Sequence, residues 1–305
     1  MKYLLLISTA LLMGCGIIDA DKDKDAIPGY PESQKLKSIP SHDGEITEEQ
    51  MEEAKSALSA IEDFFQYPLS TMNEGCEAKP VKSKTGSDVS LNDGIQSIPP
   101  GSYENQSQEL VEYKSDKCAR LGKHQVNTFE KVSIGETNES ASLQRSEIQI
   151  YKLRNSEDTI SKSDFVALDG NVFSETLGGM RKTAKNFYET NLKALSKTQF
   201  ILEDSKGKKY QITYGISMKV EMRGFIDSDD NSSDEDMGQW GTLKISIVSD
   251  DFKLSAISAF AKGFEDGETK LSEAKINGKT VSIEEFSRLW TYVKFPSGGY
   301  LGSIF

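Results

Sequence analysis

The most regular pattern in the chain is an alternation of apolar and polar residues over positions 210–222. Successive side chains of a strand point to opposite faces of a sheet, whereas a helix would scatter these residues around its circumference. The pattern therefore predicts one strand about 43 Å long, central to a sheet with one apolar face. The residues predicted to face the core are Tyr210, Ile212, Ile216, Val220 and Met222.

Shorter segments with the same two-residue period lie on both sides of this strand along the chain. Asn277-Gly278 is typical of a tight turn and predicts a hairpin between 274–276 and 279–281. Consecutive strands usually pair with one another, so the segments together predict a mainly antiparallel sheet. The other predicted strands are 109–114, 125–134, 147–153, 165–168, 243–248 and 252–260.

Three segments follow the helical period of 3.6 residues instead. The first, 47–66, begins with Thr47 and a glutamine three residues later, which is the spacing of a capping box. The second, 180–197, has its large apolar residues on one arc and is predicted to be a helix inserted into the sheet. The opposite side of this helix would carry lysines that could meet lipid phosphates or an acidic partner, or simply be solvated: Lys182, Lys185, Lys193 and Lys197. A short third helix follows Ser282.

These elements predict an α+β fold. An amphipathic N-terminal helix would be followed by a mainly antiparallel, curved sheet with a second inserted helix, and the helices or the curvature would cover the apolar face. Residues 47–305 are predicted to form this single ectodomain. In the segment 15–46, closely spaced aspartates and lysines are followed by three prolines, with few large apolar residues, so this segment is predicted to be a flexible tether.

The first fifteen residues carry the most specific motif. Lys2 precedes an apolar run over 3–13, which is too short to span a bilayer and is typical of a secretory signal. The sequence Leu-Met-Gly-Cys that ends at Cys15 resembles the lipobox of bacterial lipoproteins. The resemblance implies that a signal peptide, 1–14, is removed and that Cys15 carries acyl chains such as palmitate. An ordinary signal peptide with an accidental cysteine is the alternative.

The same resemblance bears on location. Gly16, rather than an aspartate, follows Cys15, which in Gram-negative lipoproteins favours the outer membrane. The ectodomain would then face the periplasm or the cell surface. The outer face of the plasma membrane is the alternative, because the sequence does not name the type of envelope. In either location the acyl chains of Cys15 make the lipid bilayer a partner.

The net charge bears on the class of partner, and the cysteine content predicts a disulfide. The formal net charge is −12, and removal of Lys2 with the signal makes it more negative, so nucleic acid is not expected as a partner. Cys76 and Cys118 remain after lipidation of Cys15, and an even pair in an oxidising compartment predicts a disulfide.

Candidate chemistry is sparse. The chain has no GxSxG or HExxH motif, and of its two histidines, His42 lies in the predicted tether and His124 at the start of a predicted strand. No catalytic residue, resident metal or cofactor is therefore predicted. Carboxylates over 227–236 make a calcium site conceivable, although such a charged loop is usually solvated. Its candidate ligands are Asp227, Asp229, Asn231 and Asp234.

The expected function follows from two observations: the sequence predicts a lipid anchor and a tether, and it contains no recognisable set of catalytic residues. We expect a lipid-anchored envelope protein that is not an enzyme and whose ectodomain is a binding or structural module for an envelope protein or an apolar ligand. The alternative is an envelope-acting hydrolase that uses a carboxylate pair, because such pairs have no fixed spacing in sequence.

Overall fold

A computed structural model describes most of the chain from residue 38 onward. The described residues are 38–65, 81–87, 99–113, 120–135, 140–155, 165–184, 187–225, 233–263 and 269–293. Two helices lie within these ranges: α1 (Glu48–Phe65) and α2 (Ile283–Trp290). The strands in these ranges are β1 (Val81–Gly86), β2 (Gly101–Tyr113), β3 (Arg120–Ile134), β4 (Ser140–Asn155), β5 (Phe165–Ala184), β6 (Phe187–Asp204), β7 (Lys209–Phe225), β8 (Ser233–Ser249), β9 (Lys253–Gly263), β10 (Thr269–Ile276) and β11 (Lys279–Thr280).

The strands form one eleven-stranded sheet in which each strand pairs with its neighbours in sequence. Every pairing is antiparallel, so the sheet is a continuous meander. At its last hairpin, Asn277 and Gly278 both have positive φ, 45° and 74°. This is the geometry of the primed turns that asparagine and glycine favour, and the predicted hairpin is confirmed.

The α+β prediction is wrong, because the described chain is mainly this single large sheet. The segment predicted as an inserted helix, 180–197, is divided between the end of β5 and the first part of β6. The physical reason lies in the spacing of its apolar residues. Met180, Tyr188 and Leu192 are separated by multiples of four, and such residues share a face in a strand as well as in a helix. Pairing with β5 and β7 along the whole of β6 decides between the two periods.

The sheet has two chemically different faces. The helix face carries Tyr210, Ile212, Ile216 and Val220 of β7, each at most 2% exposed. Both helices belong to the apolar cluster on this face, and the ring of Phe64 in α1 stacks on Phe200 of β6 at 6.0 Å. The prediction of β7 as a long central strand with this apolar face is confirmed.

Both helices begin as their sequences predict. In α1, Gln50 N–H donates to the hydroxyl of Thr47, and Thr47 N–H donates to the side chain of Gln50. This reciprocal pair is a capping box. In α2, Glu285 N–H donates to Ser282 Oγ at 3.1 Å. Among the described residues, neither helix is both long and apolar enough to cross a membrane.

The groove face is the opposite side of the sheet, and the last residues of the predicted tether lie across it. Ile39 is 1% exposed and packs against Leu195 of β6 and Phe173 of β5. Further along, His42 N–H donates to Ser255 Oγ of β9 at 2.8 Å. Residues 38–42 therefore cross several strands before the chain reaches α1 on the helix face.

Candidate binding groove

A groove of about 520 Å³ lies on the groove face, across strands β1 to β5. Its floor includes Gln108, Asn127 and Arg145, and two phenylalanines, Phe129 and Phe173, also line it. Because Ile39 packs on Phe173, the start of the segment 38–42 lies beside the groove. The first described residues of the predicted tether are thus next to this cavity.

Strand register places amide side chains on the groove face of the sheet, both in the groove and beside it. Residues that are directly opposite in neighbouring strands lie on the same face of a sheet. One row places Gln108 opposite Asn127 and continues through Glu147 to Phe173. The next row contains Gln125, Gln149, Asn171 and Gln199. Six amides from five adjacent strands therefore share one face.

Hydrogen bonds link these amides into two small clusters. In the first, Gln108 Nε2 and Gln125 Nε2 both donate to Asn127 Oδ1, each at 3.2 Å. In the second, Asn171 Nδ2 and Gln149 Nε2 donate to Glu147 Oε1 at 2.7 and 3.3 Å. The bonds hold the side chains in defined orientations while the clusters stay accessible, because Gln108 is exposed and the others are half-buried.

Charges in the groove nearly balance. Arg145 Nε donates to Glu175 Oε2 at 2.5 Å, and the two residues are directly opposite in β4 and β5. Glu147 accepts hydrogen bonds from two amides, as described above. The groove therefore offers mainly neutral hydrogen-bonding groups, in a chain whose overall charge is strongly negative.

The predicted lysine surface is not assembled as expected. Lys193 and Lys197 lie in β6, on the groove face of a strand rather than on a helix. Lys197 Nζ donates to Ser38 Oγ at 2.7 Å, and burial lowers the pKa of Lys197. Lys182 belongs to β5, and Lys185 lies outside the described residues. Since 180–197 is not helical, the four lysines do not share a helix surface.

Other predicted sites fall mainly outside the described part of the chain. Cys15, Cys76 and Cys118 lie outside it, so the lipid anchor and the disulfide stay predictions. Three of the four calcium candidates, Asp227, Asp229 and Asn231, also lie outside it. The fourth, Asp234, is near the start of β8 and pairs with Gly224 of β7. Within the described ranges, no group of three or more His, Cys, Asp and Glu side chains is placed to hold a metal.

A carboxylate pair does occur, and it bears on the hydrolase alternative. The hydroxyl of Tyr210 donates to Glu53 of α1 at 2.5 Å and lies 3.3 Å from Asp204. Lys208 Nζ bridges Glu53 and Asp251 at 2.5 and 2.6 Å. Burial, reinforced by Glu53, raises the pKa of Tyr210. The cluster fastens α1 to the turns at one end of β6–β9.

This carboxylate pair is poorly placed for catalysis. Neither Glu53 nor Asp204 lines the groove or a second cavity of about 470 Å³ beside α1 and α2. In that second cavity, Glu52 is paired with Lys55 and Glu284 with Arg288, each at 2.6 Å. These acids are therefore committed to ion pairs on their own helices.

The two histidines have different environments. His42 Nε2 lies 3.0 Å from Ser246 Oγ, which resembles a base and nucleophile pair, but Ser246 is only 2% exposed and is inaccessible to a substrate. Burial, assisted by Lys253, lowers the pKa of His42, and Asp43 opposes this. Burial also lowers the pKa of His124, against the opposing charge of Glu109. Both sites are structural rather than catalytic in geometry.

The groove itself was not predicted from the sequence, although a signal for it exists. Gln106 and Gln108, and likewise Gln125 and Asn127, are spaced two apart within predicted or observed strands. Residues two apart in a strand share a face, so this spacing places two pairs of amides on polar strand faces. No known protein family, curated protein or solved structure matches the chain.

Proposed function

We propose that this chain is a lipid-anchored envelope protein whose folded part is a non-enzymatic binding module, with the groove across β1–β5 as its binding surface. The observation that carries the proposal is the mixed lining of a cavity of about 520 Å³, in which Gln108 and Asn127 are linked by a hydrogen bond and lie near two phenylalanines. Cavities that bind ligands combine apolar surface with a few oriented polar groups, and this groove has both.

Binding is favoured over hydrolysis because of where the ionisable groups lie. A glycosidase needs two carboxyl groups about 5–10 Å apart across a cleft. Glu147 lines the groove and accepts two amide hydrogen bonds, and Glu175 nearby is paired with Arg145. Both carboxylates are therefore already engaged by neighbouring side chains, whereas a general acid must be free to approach the substrate atom that it protonates.

The anchor explains why a binding module would have a tether. Acyl chains on Cys15 would hold the chain on a bilayer, at the outer membrane or on the outer face of the plasma membrane. The tether would end at residues 38–42, beside Phe173, so the groove would be presented close to the point where the tether meets the sheet. A ligand in the envelope would then be held near the membrane surface.

Site-specific photocrosslinking in cells tests the binding surface. We expect a photoreactive phenylalanine analogue at position 108, in the groove, to capture an envelope component. The matched control is the same analogue at position 144, because Gln144 lies on the helix face of β4 and bonds to Glu130 there. Equal adducts from both positions, or none from position 108, would reject the groove as the binding surface.

Replacement of the lipidated cysteine tests the anchor separately. We expect Cys15→Ser to leave the protein unprocessed or to release it from membranes, because serine cannot take the thioether-linked diacylglyceryl group. Membrane fractionation and the mature mass measure this. A variant that stays with the membrane at the normal mature mass would contradict lipid anchoring.

A further inference from the structure

We infer that the groove binds a neutral glycan, with Gln106, Gln108 and Asn127 as hydrogen-bonding groups and Phe129 as an apolar platform. The inference rests on the proposed binding function and names the ligand class. The groove crosses five strands, a width of about 19 Å at a strand spacing of about 4.8 Å. That width accommodates an extended oligosaccharide rather than a single small molecule.

Amides match the hydrogen-bonding character of sugar hydroxyls. Each hydroxyl is both donor and acceptor, and each Asn or Gln side chain offers two N–H donors and one carbonyl acceptor. Asn127 Oδ1 accepts from Gln108 and Gln125, so within the described residues its own Nδ2 group makes no hydrogen bond and can donate to a ligand. The carbonyl oxygens of Gln108 and Gln125 are likewise available as acceptors among these residues. Asn127 Nδ2 and the carbonyl oxygen of Gln108 therefore give the groove both a donor and an acceptor for sugar hydroxyls.

Phe129 supplies the apolar contact that a pyranose ring requires. It lies on the groove face of β3, half-buried, and its partner in β4 is Arg145. A sugar ring presents its C–H groups on one face, and contact with a flat aromatic ring removes apolar surface of both from water. Two residues before Phe129 on the same face is Asn127, so one sugar unit could use both groups.

Other ligand classes fit the groove less well. An anionic ligand would need unpaired cations, but Arg145 is paired with Glu175 and the groove also contains Glu147. An apolar ligand would need a predominantly apolar lining. A peptide strand would need free backbone groups, and those of β2, β3 and β4 are engaged in the ladders on both sides, so it could not pair with these strands and would have to use the outer edge of β1.

Calorimetric titration of the full-length chain in detergent tests the ligand class. The probes are cellohexaose, maltohexaose and chitohexaose, with a heparin hexasaccharide as the anionic comparison. We expect at least one neutral hexasaccharide to bind with a Kd below about 1 mM. Asn127→Ala should weaken that binding about fivefold, which is the typical effect of one hydrogen bond. Phe129→Ala should weaken it about tenfold through the loss of the aromatic contact.

Gln144→Ala is the matched control, because it removes an amide from the other face of the same sheet. We expect its affinity to equal that of the original chain, and thermal melting to show that all three variants are folded. Binding only of the heparin fragment, or equal weakening by Gln144→Ala, would overturn the inference. So would the absence of binding to every neutral probe.

The photocrosslinked adduct at position 108 separates this inference from the proposed function. After digestion of the adduct with protease, a crosslinked peptide from this chain whose added mass is cleaved by periodate supports a glycan. An added mass that consists of a second peptide would reject the glycan and keep the binding module. No adduct at all would reject both.

Discussion

The two halves of the sheet differ in how they are buried, although they belong to one meander. In β7 every residue from 212 to 218 is buried, and in β8 every residue from 241 to 247 is buried. In β2, by contrast, the two buried residues are Val111 and Tyr113 at one end. In the buried half, β6–β9, side chains are covered on both faces. In the open half, β2–β4, many side chains remain exposed to solvent.

The contacts that contribute most to stability and the proposed binding groove therefore lie in different halves of the sheet. Apolar burial is the main stabilising term, so the free energy of unfolding is concentrated where β6–β9 contact the helices. Strands β2–β4 are held by their backbone ladders and polar cross-strand pairs, whose net contributions are small. Many of their polar side chains therefore stay accessible to solvent, and the groove lies in this half.

The largest effect should come from a charge placed in the buried half. Val220 is 1% exposed on the helix face, so Val220→Asp would bury an unpaired carboxylate. We expect a loss of about 5 kcal/mol in the free energy of unfolding, measured by urea denaturation. The control is Gln211→Asp, in the same strand at an exposed position on the other face, with an expected change below about 0.5 kcal/mol. Similar losses for both variants would show that the two faces of β7 are not distinct.

Lys219 is not a suitable control for this experiment, although the alternation would suggest it. Its side chain is only 12% exposed, it pairs with Glu221 at 2.5 Å and it lies 5.3 Å from the ring centroid of Trp240. Lys219→Asp would remove both contacts and place a second carboxylate beside Glu221. Its effect should therefore be larger than that of Gln211→Asp.

The open half is predicted to depend on a covalent bond. Cys118 lies between β2 and β3 in sequence, and Cys76 precedes β1, so a disulfide would tie the strands that form the groove. It would close a loop of about 43 residues and stabilise the fold by about 4 kcal/mol in the chain-entropy model. We expect Cys76→Ser/Cys118→Ser to lower the urea midpoint accordingly. Two free thiols in protein purified from the envelope, detected by mass spectrometry, would contradict the bond.

A smaller effect should follow from loosening the segment beside the groove. Ile39 is 1% exposed between Leu195 and Phe173, and Ile39→Ala would leave a cavity there. We expect a loss of about 3 kcal/mol in the free energy of unfolding. Ile283→Ala provides a control, because Ile283 is 43% exposed at the start of α2. An Ile39→Ala variant as stable as that control would show that 38–42 does not hold to the sheet in solution.

The smallest effect should be on the pH dependence of stability, to which one histidine from each half contributes. Folding lowers the pKa of His124 in the open half and of His42 against the buried half. As the pH falls through about 6.5, the unfolded chain therefore binds protons that the folded chain does not. The free energy of unfolding should therefore decrease as the pH is lowered below about 6.5, until the folded-state pKa values are reached. Well above pH 6.5 both histidines are neutral in either state and contribute nothing to the pH dependence.

Urea denaturation at pH 7.5 and 5.5 measures this dependence. We expect His124→Gln to reduce the acid-induced loss of stability, because part of that loss arises from the lowered pKa of His124 in the folded chain. His42→Gln should reduce the acid-induced loss of stability by less, because His42 is less buried than His124. An unchanged pH dependence in both variants would mean that neither histidine is neutral in the folded protein at pH 5.5.

Local sequence signals determined several elements of this protein. The alternation over 210–222 predicted β7, Asn277-Gly278 predicted the last hairpin, and Thr47 and Ser282 marked the starts of both helices. Each of these signals is complete within a few residues, because side-chain alternation, turn conformation and capping are set by near neighbours. They needed no knowledge of the rest of the chain.

Tertiary structure alone decided the segment 180–197 and the groove. The apolar residues of that segment fit a helix and a strand, and only the pairing of β6 with β5 and β7 made the strand. The groove face required the register of four strands to bring Gln108, Asn127, Gln149 and Asn171 together. Contacts between residues distant in sequence are invisible to a local pattern, because their geometry is fixed by the pairing of whole strands.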